Sequence, residues 1–374
     1  MRRIVACALL AVLAACSSSS IAVSPGAPTS PPNPLQNASI PLGINTGSKP
    51  GYHLTISVGG GKARDVLLDT GSAALWVYAN AIGTRYRKTK YIVSNSYASG
   101  LVYSGIVVYT KVDFGNGIAT GEVPVALVQK ATCKTEKACP AKPGSSFCPT
   151  VKPGPNAGVE CIESSRKLYG TFGADMTTID FPNGTTPVGE MYNVIFGIAR
   201  PFAHAFAITP GALVVGDRSF DGYATLPLTK STAPKPLPNG ARPWKRDVTL
   251  CYTVATLSNR CFDTLFDTGA TDVGFQISDA LPVTPSKCGD RVKPGTPFSA
   301  ATSGGTVVAS FDAGNLTNFN RIVNEKPQKT PQVNTGMTLF NRNVIYYDAA
   351  KGIVAIQPLA KPVHVAQQGC GKNS

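Results

Sequence analysis

The chain has 374 residues, 43% of them hydrophobic and 15% charged, enough for two domains of ordinary size or one large one. Its formal net charge is +14, but the basic residues are scattered and no nucleic-acid reading motif accompanies them, so nucleic acid is not an expected partner. A basic surface suits an anionic membrane or acidic peptides better. Only three histidines occur (His53, His204 and His364), none at ligand spacing, so no metal or cofactor is expected. Gly and Pro are plentiful and Leu-rich helical stretches scarce, which points to an all-β fold.

The N-terminus carries Arg2 and Arg3 and then an apolar run, Ile4 to Leu13, too short to span a bilayer. Residues 1–15 therefore read as a signal peptide. The sequence Leu13-Ala14-Ala15-Cys16 resembles the lipobox of bacterial lipoproteins, which implies cleavage before Cys16 and a lipid on that cysteine. Ser17 in place of Asp fits sorting to the outer membrane, facing the periplasm. An ordinary secretory leader with a chance cysteine is the alternative. Loss of Arg2 and Arg3 with the leader lowers the charge to +12.

Residues 16–50 are rich in Ser, Pro and Gly and nearly uncharged, the composition of an extended tether. The segment has Lys49 and no acid, so it is not expected to act as an inhibitory propeptide. Strand signals follow: HLTISV from His53, the turn GGGKAR, then DVLLDTG from Asp65. The basic cluster Arg85 to Lys90 reads as a solvated loop. Residues 101–129 alternate strongly, giving two or three strands. A Cys/Pro/Lys-rich stretch, 131–166, is far longer than an ordinary loop.

Asn193 to Ile208 contains the best candidate for a short helix, broken at Pro201, with His204 as a satisfied interior histidine. A lobe boundary is placed near 209, dividing an N-terminal lobe, 51–208, from a C-terminal lobe, 209–374. Beyond Cys7 and Cys16, eight cysteines remain, an even number that suggests disulfides in an exported chain. Cys251 and Cys261 flank a hairpin and are expected to pair. Pairing within 133–161, and of Cys288 with Cys370, is a looser expectation.

Two near-copies dominate the chain: VLLDTGSAALWV around Asp69 and TLFDTGATDVGF around Asp267. In each, a short apolar run reads as a buried strand ending in Asp-Thr-Gly. Gly71 and Gly269 then allow a tight turn and close approach of the backbone to a neighbour. Each copy holds a carboxylate at a strand tip. The two acids lie 198 residues apart, room for one per lobe, so an internally duplicated monomer is expected.

These motifs resemble the pepsin-like aspartic peptidases from about Gly51 to Leu359. SYASGLVYSG (Ser96 to Gly105) is similar to that family's flap hairpin, with Tyr97 as the flap tyrosine. GTFGADM (Gly170 to Met176) and NTGMTLFNRNVIYYD (Asn334 to Asp348) resemble the segments that brace the two loops. The resemblance implies a bilobal pepsin-like double β-barrel with a cleft between the lobes, and an endopeptidase acting on peptides or proteins. It implies Asp69 and Asp267 as catalytic acids, with Thr70, Gly71, Ser72, Thr268, Gly269 and Trp76 in support. Thr70 and Thr268 would clasp across the interface, and Ser72 would donate to Asp69. Tyr97, bonded to Trp76, and Thr271 would meet substrate.

Two departures stand out. Ala270 replaces a hydroxyl at the place matching Ser72, so Asp267 is expected to lack its outer hydrogen bond, raising its pKa and giving a less acidic optimum than pepsin's. Asp272 puts a charge where relatives carry an apolar residue. Both features support an alternative, a catalytically silent pepsin fold that binds an envelope partner. Glycoside hydrolysis by two carboxylates lacks sugar-stacking aromatics, with only two Trp in the chain.

Overall fold

The computed structural model describes residues 37–45, 51–133, 146–148, 168–183, 186–199, 202, 204–232, 236–237, 240, 242–279, 281–284, 291–314 and 320–363. The leader, Cys16 and most of the Cys-rich stretch lie outside them, as do Cys288 and Cys370. The side chains of Cys133 and Cys148 also lie outside the described part.

Strands dominate, with one short α-helix, Gly336–Phe340, among the described residues. A ten-stranded sheet carries the first Asp-Thr-Gly and a nine-stranded sheet the second. A six-stranded sheet runs in the order Asn37–Pro41, Ala212–Gly216, Ala205–Thr209, Asn343–Asp348, Ile353–Pro358, Ala224–Pro227. It draws on the start, middle and end of the fold. A two-stranded sheet, Thr178–Asn183 with Thr186–Tyr192, completes the bilobal, pepsin-like all-β architecture, whose core is formed by inward residues of these sheets.

The two motif-bearing sheets share one local design. Strand Arg64–Asp69 delivers Asp69, the chain turns, and Ala73–Tyr78 leaves; between the two lies Gly170–Ala174, parallel to the first and antiparallel to the second. In the other sheet Leu257–Leu265 and Val273–Gln276 flank Gln332–Asn334 in the same senses. Parallel neighbours are buried on both faces and need unbroken apolar runs. Val66 and Leu68, and Leu75, Trp76 and Val77, are accordingly buried.

Several expectations are corrected. The segment expected to be a tether, 16–50, contributes strands from residue 37 on: Asn37–Pro41 pairs with Ala212–Gly216 and Gly43–Asn45 pairs with Gly51–Val58. Burial of Ile40 and Leu42 is what draws this polar segment into the fold. The boundary near 209 falls inside a hairpin, Ala205–Thr209 with Ala212–Gly216, of the six-stranded sheet.

The helix expected over 193–208 is a 3₁₀ turn, Val194–Gly197, followed by strand Ala205–Thr209. Ala205 to Ile208 are buried throughout in mid-sheet, and an unbroken apolar run of that kind fits a two-sided strand. His204 is half-buried and its Nδ1 has no hydrogen-bond partner among the described residues, so it is not satisfied as expected. The basic cluster is no loop: Tyr86–Ser96 is the last strand of the ten-stranded sheet, with Arg87, Lys88 and Lys90 exposed. Charged side chains on such an edge discourage pairing with another chain. The Cys251–Cys261 disulfide forms as expected, joining directly opposed residues of the hairpin Asp247–Val254 and Leu257–Leu265.

Candidate active site

Both Asp-Thr-Gly loops leave their strands at the same place, and Thr70 and Thr268 lock them together. The Thr70 N–H donates to Thr268 Oγ1 (3.1 Å) and the Thr70 hydroxyl to the Phe266 carbonyl (2.8 Å). Reciprocally, the Thr268 N–H donates to Thr70 Oγ1 (3.0 Å) and the Thr268 hydroxyl to the Leu68 carbonyl (2.7 Å). Both threonines are buried, so these four bonds are shielded from water.

The clasp brings the carboxyls together. A Cβ built on Gly71 would lie 2.5 Å from Asp267 Cγ, and one built on Gly269 would lie 2.7 Å from Asp69 Oδ1 and 3.0 Å from Asp267 Oδ1. Each glycine therefore faces the acid of the opposite loop and leaves it the space a side chain would fill. Both Oδ1 atoms thus lie within 3.0 Å of one point, the place of a Gly269 Cβ, so the two carboxyls approach each other closely. The Gly71 N–H donates to Asp69 Oδ1 (2.9 Å) and the Gly269 N–H to Asp267 Oδ1 (2.7 Å).

The outer oxygens differ. Ser72 donates its hydroxyl to Asp69 Oδ2 at 2.7 Å, as expected. Asp267 Oδ2 was expected to be bare because of Ala270, and it is not: the Asn334 side-chain amide donates to it at 2.6 Å. The neighbouring strand supplies the bond that the loop cannot. Asp69 is buried, and burial first, then the charge of Asp267, push its carboxyl up to about 8, against hydrogen bonds from Ser72 and Gly71.

Tyr97 sits at the tip of the hairpin formed by Tyr86–Ser96 and Leu101–Thr110, its N–H donating to the Leu101 carbonyl at 2.8 Å. Its half-buried ring packs edge-on against Tyr103, centroids 5.3 Å apart. Burial, then Tyr103 and Asp69, hold its hydroxyl well above the usual phenol range. Trp76 is fully buried and its Nε1 has no hydrogen-bond partner among the described residues, so the expected bond to Tyr97 is not made. Trp76 packs against Tyr103 instead, at 6.1 Å. Thr271 is half-buried, one residue beyond Ala270.

The charge on Asp272 is met by Arg321, whose guanidinium contacts Asp272 Oδ2. Both side chains are largely buried, so the pair neutralises itself beside the loop rather than leaving a bare charge.

Two further residues were not singled out from sequence. The Arg246 guanidinium donates to the Gly71 carbonyl at 2.6 Å. Asp175 is buried and accepts from the Thr177 N–H and hydroxyl, both at 2.8 Å. Burial raises its carboxyl from 3.8 to about 6, against the Thr177 hydrogen bonds and the Arg246 charge.

Thr268→Val leaves the Thr70 N–H and the Leu68 carbonyl unpaired and should cost roughly 2–4 kcal/mol, whereas Thr268→Ser should cost much less. Because either loss opens the clasp, Thr70→Val with Thr268→Val should cost less than the two single changes together, as read by chemical denaturation. Asp175 and Asp69, whose folded pKa values lie above the unfolded one, contribute stability that is full below about pH 4. That contribution is lost as pH rises through about 6 for Asp175 and about 8 for Asp69. Melting temperature should fall over this window, and Asp175→Asn should flatten its lower part and stabilise the protein at pH 7 by up to about 3 kcal/mol.

Residues 38–189 match the family described as the PE-PGRS C-terminal aspartyl peptidase-like domain, a span that includes Asp69 and Tyr97 and ends before Asp267. No curated protein sequence matches the chain. Among solved structures, the aspartic proteinase from Irpex lacteus superposes with a TM-score of 0.59 at 13% identity, covering 87% of this chain and 98% of that one. At that identity the likeness is one of fold. The chain is thus similar to an aspartyl peptidase-like domain over residues 38–189 and to a pepsin-like aspartic proteinase in its fold.

Proposed function

We propose that the protein is an aspartic endopeptidase that hydrolyses peptide bonds with a water activated between Asp69 and Asp267. The observation that carries this reading is the pair of carboxyls, one from each loop, facing one another behind the glycines. Like charges that close cannot both ionise easily, so the pair shares one proton and offers a base and an acid in one site; such shared-proton pairs in aspartic proteases are a standard example. The base takes a proton from water while the acid protonates the carbonyl oxygen of the scissile bond, with no covalent intermediate. Substrate would lie extended under Tyr97 and against Thr271, held by main-chain hydrogen bonds. One chain supplies both acids, which supports a monomeric enzyme.

Arg321 beside Asp272 and Asn334 beside Asp267 offset the two departures that favoured a silent binding protein. Incubation of the protein with a denatured substrate across pH 3–9 should give cleavage that pepstatin blocks. Asp69→Asn or Asp267→Asn should each lower it by at least about 10²-fold. Because burial raises Asp69, activity should persist towards neutral pH rather than being confined to strong acid. No cleavage by folded protein at any pH would favour the silent pepsin fold instead.

The lipobox-like sequence ending at Cys16 supports attachment to the cell envelope through a lipid, at the outer membrane facing the periplasm. Metabolic labelling with a fatty acid should mark the wild-type protein and not Cys16→Ser, which should leave the membrane fraction. Equal labelling of both would contradict the anchor.

A further inference from the structure

Asp69 and Asp267 keep different company. Asp69 Oδ2 faces the Ser72 hydroxyl, a group that can donate or accept. Asp267 is met by nitrogen donors only: Gly269 N–H at 2.7 Å and Ala270 N–H at 3.3 Å on Oδ1, and Asn334 Nδ2 at 2.6 Å on Oδ2. None of these can accept a proton's hydrogen bond.

The direction of the Asn334 amide is fixed by its other end. Its Oδ1 accepts from the Gly336 N–H at 2.9 Å, so turning it over would set N–H against N–H and oxygen against carboxylate. The segment holding it is pinned to the second loop: the Thr335 N–H donates to the Leu265 carbonyl and the Met337 N–H to the Ala270 carbonyl, both at 2.9 Å. Gly336 has φ +53° and lies hard against the Asp272 backbone, where a side chain has no room.

The strand registers identify the counterpart of Asn334. It lies opposite Leu265, two residues before Asp267, as Thr171 lies opposite Leu67, two residues before Asp69. In the first half the outer donor comes from the loop itself, through Ser72. In the second half it has moved to the bracing strand.

We propose that Asn334 is a positioning residue that gives the acid pair a direction, holding Asp267 as the carboxylate and leaving the shared proton on Asp69. Deepening the peptidase reading, Asp267 then takes one proton from water, the water oxygen bonds to the carbonyl carbon, and Asp69 passes its proton to the carbonyl oxygen, giving a neutral diol.

Other groups around the pair titrate or carry charge. Tyr97 near Asp69 and Tyr347 near Asp267 are both held above the usual phenol range by burial, so they stay neutral. Asp272 is paired with Arg321. Asp175, with Arg246, titrates near 6, so the pH profiles are to be recorded in an Asp175→Asn background.

In that background Asn334→Leu should move the acid limb of the kcat/KM profile up by roughly one to two pH units. Adding Ala270→Thr, which returns a hydroxyl to the loop, should bring it back. An unmoved limb in folded Asn334→Leu would overturn the proposal. A second measurement needs neither that variant nor activity: carbonyl ¹³C NMR titration of aspartate-labelled protein, assigned through Asp69→Asn and Asp267→Asn. Asp267 should ionise before Asp69; the reverse order would overturn the assignment even in an active enzyme. An inactive protein with the expected order would defeat only the peptidase reading.

Discussion

Four hydrogen bonds between Thr70 and Thr268 and the backbone of the opposite loop are the constraint from which the rest of the site follows. Each hydroxyl both accepts from and donates to the backbone of the opposite loop, so neither threonine can move without orphaning buried groups in both halves. Ordering two strand tips 198 residues apart has a large conformational cost, and a reciprocal buried clasp is a compact way to offset it. Once the loops are locked, the glycines admit the opposite carboxyls, and like-charge proximity with burial accounts for the raised Asp69.

The bracing strands do more than fill space. Gly170–Ala174 and Gln332–Asn334 each lie between the strand entering a loop and the strand leaving it, so each sees its acid from behind. That placement lets the second brace supply through Asn334 what Ala270 removed from the loop. The duplicated halves are therefore alike in backbone and unlike in chemistry. Arg321 plays a similar compensating part for Asp272.

Much of this was legible in the sequence. Apolar runs ending in Asp-Thr-Gly, repeated at a lobe's distance, marked Asp69, Asp267 and the threonine pair, because those motifs are local. The Cys251–Cys261 hairpin was legible for the same reason. What escaped was non-local. Asn334 stands at the head of a segment recognised as a brace, but its bond to Asp267 depends on strand register between residues 67 apart. The joint occurrence of Ala270 and a polar residue there was the available signal. Strand Ala205–Thr209 begins inside the span expected to contain a short helix, because a wholly buried apolar run carries no periodicity to separate the two. Arg246 reaches the first loop from a distant part of the sequence, and Asp175, bonded to the Ser72 carbonyl next to the first brace, carried no signal apart from that brace.

The account rests on two carboxyls turned towards each other with one proton between them. Neutron diffraction from a deuterium-exchanged crystal near neutral pH would show that proton directly. The expected map has a single deuteron on Asp69, one solvent molecule spanning the inner oxygens, and Ser72 and Asn334 on the outer ones. Carboxyls turned apart, or two fully ionised groups with separate waters, would contradict it.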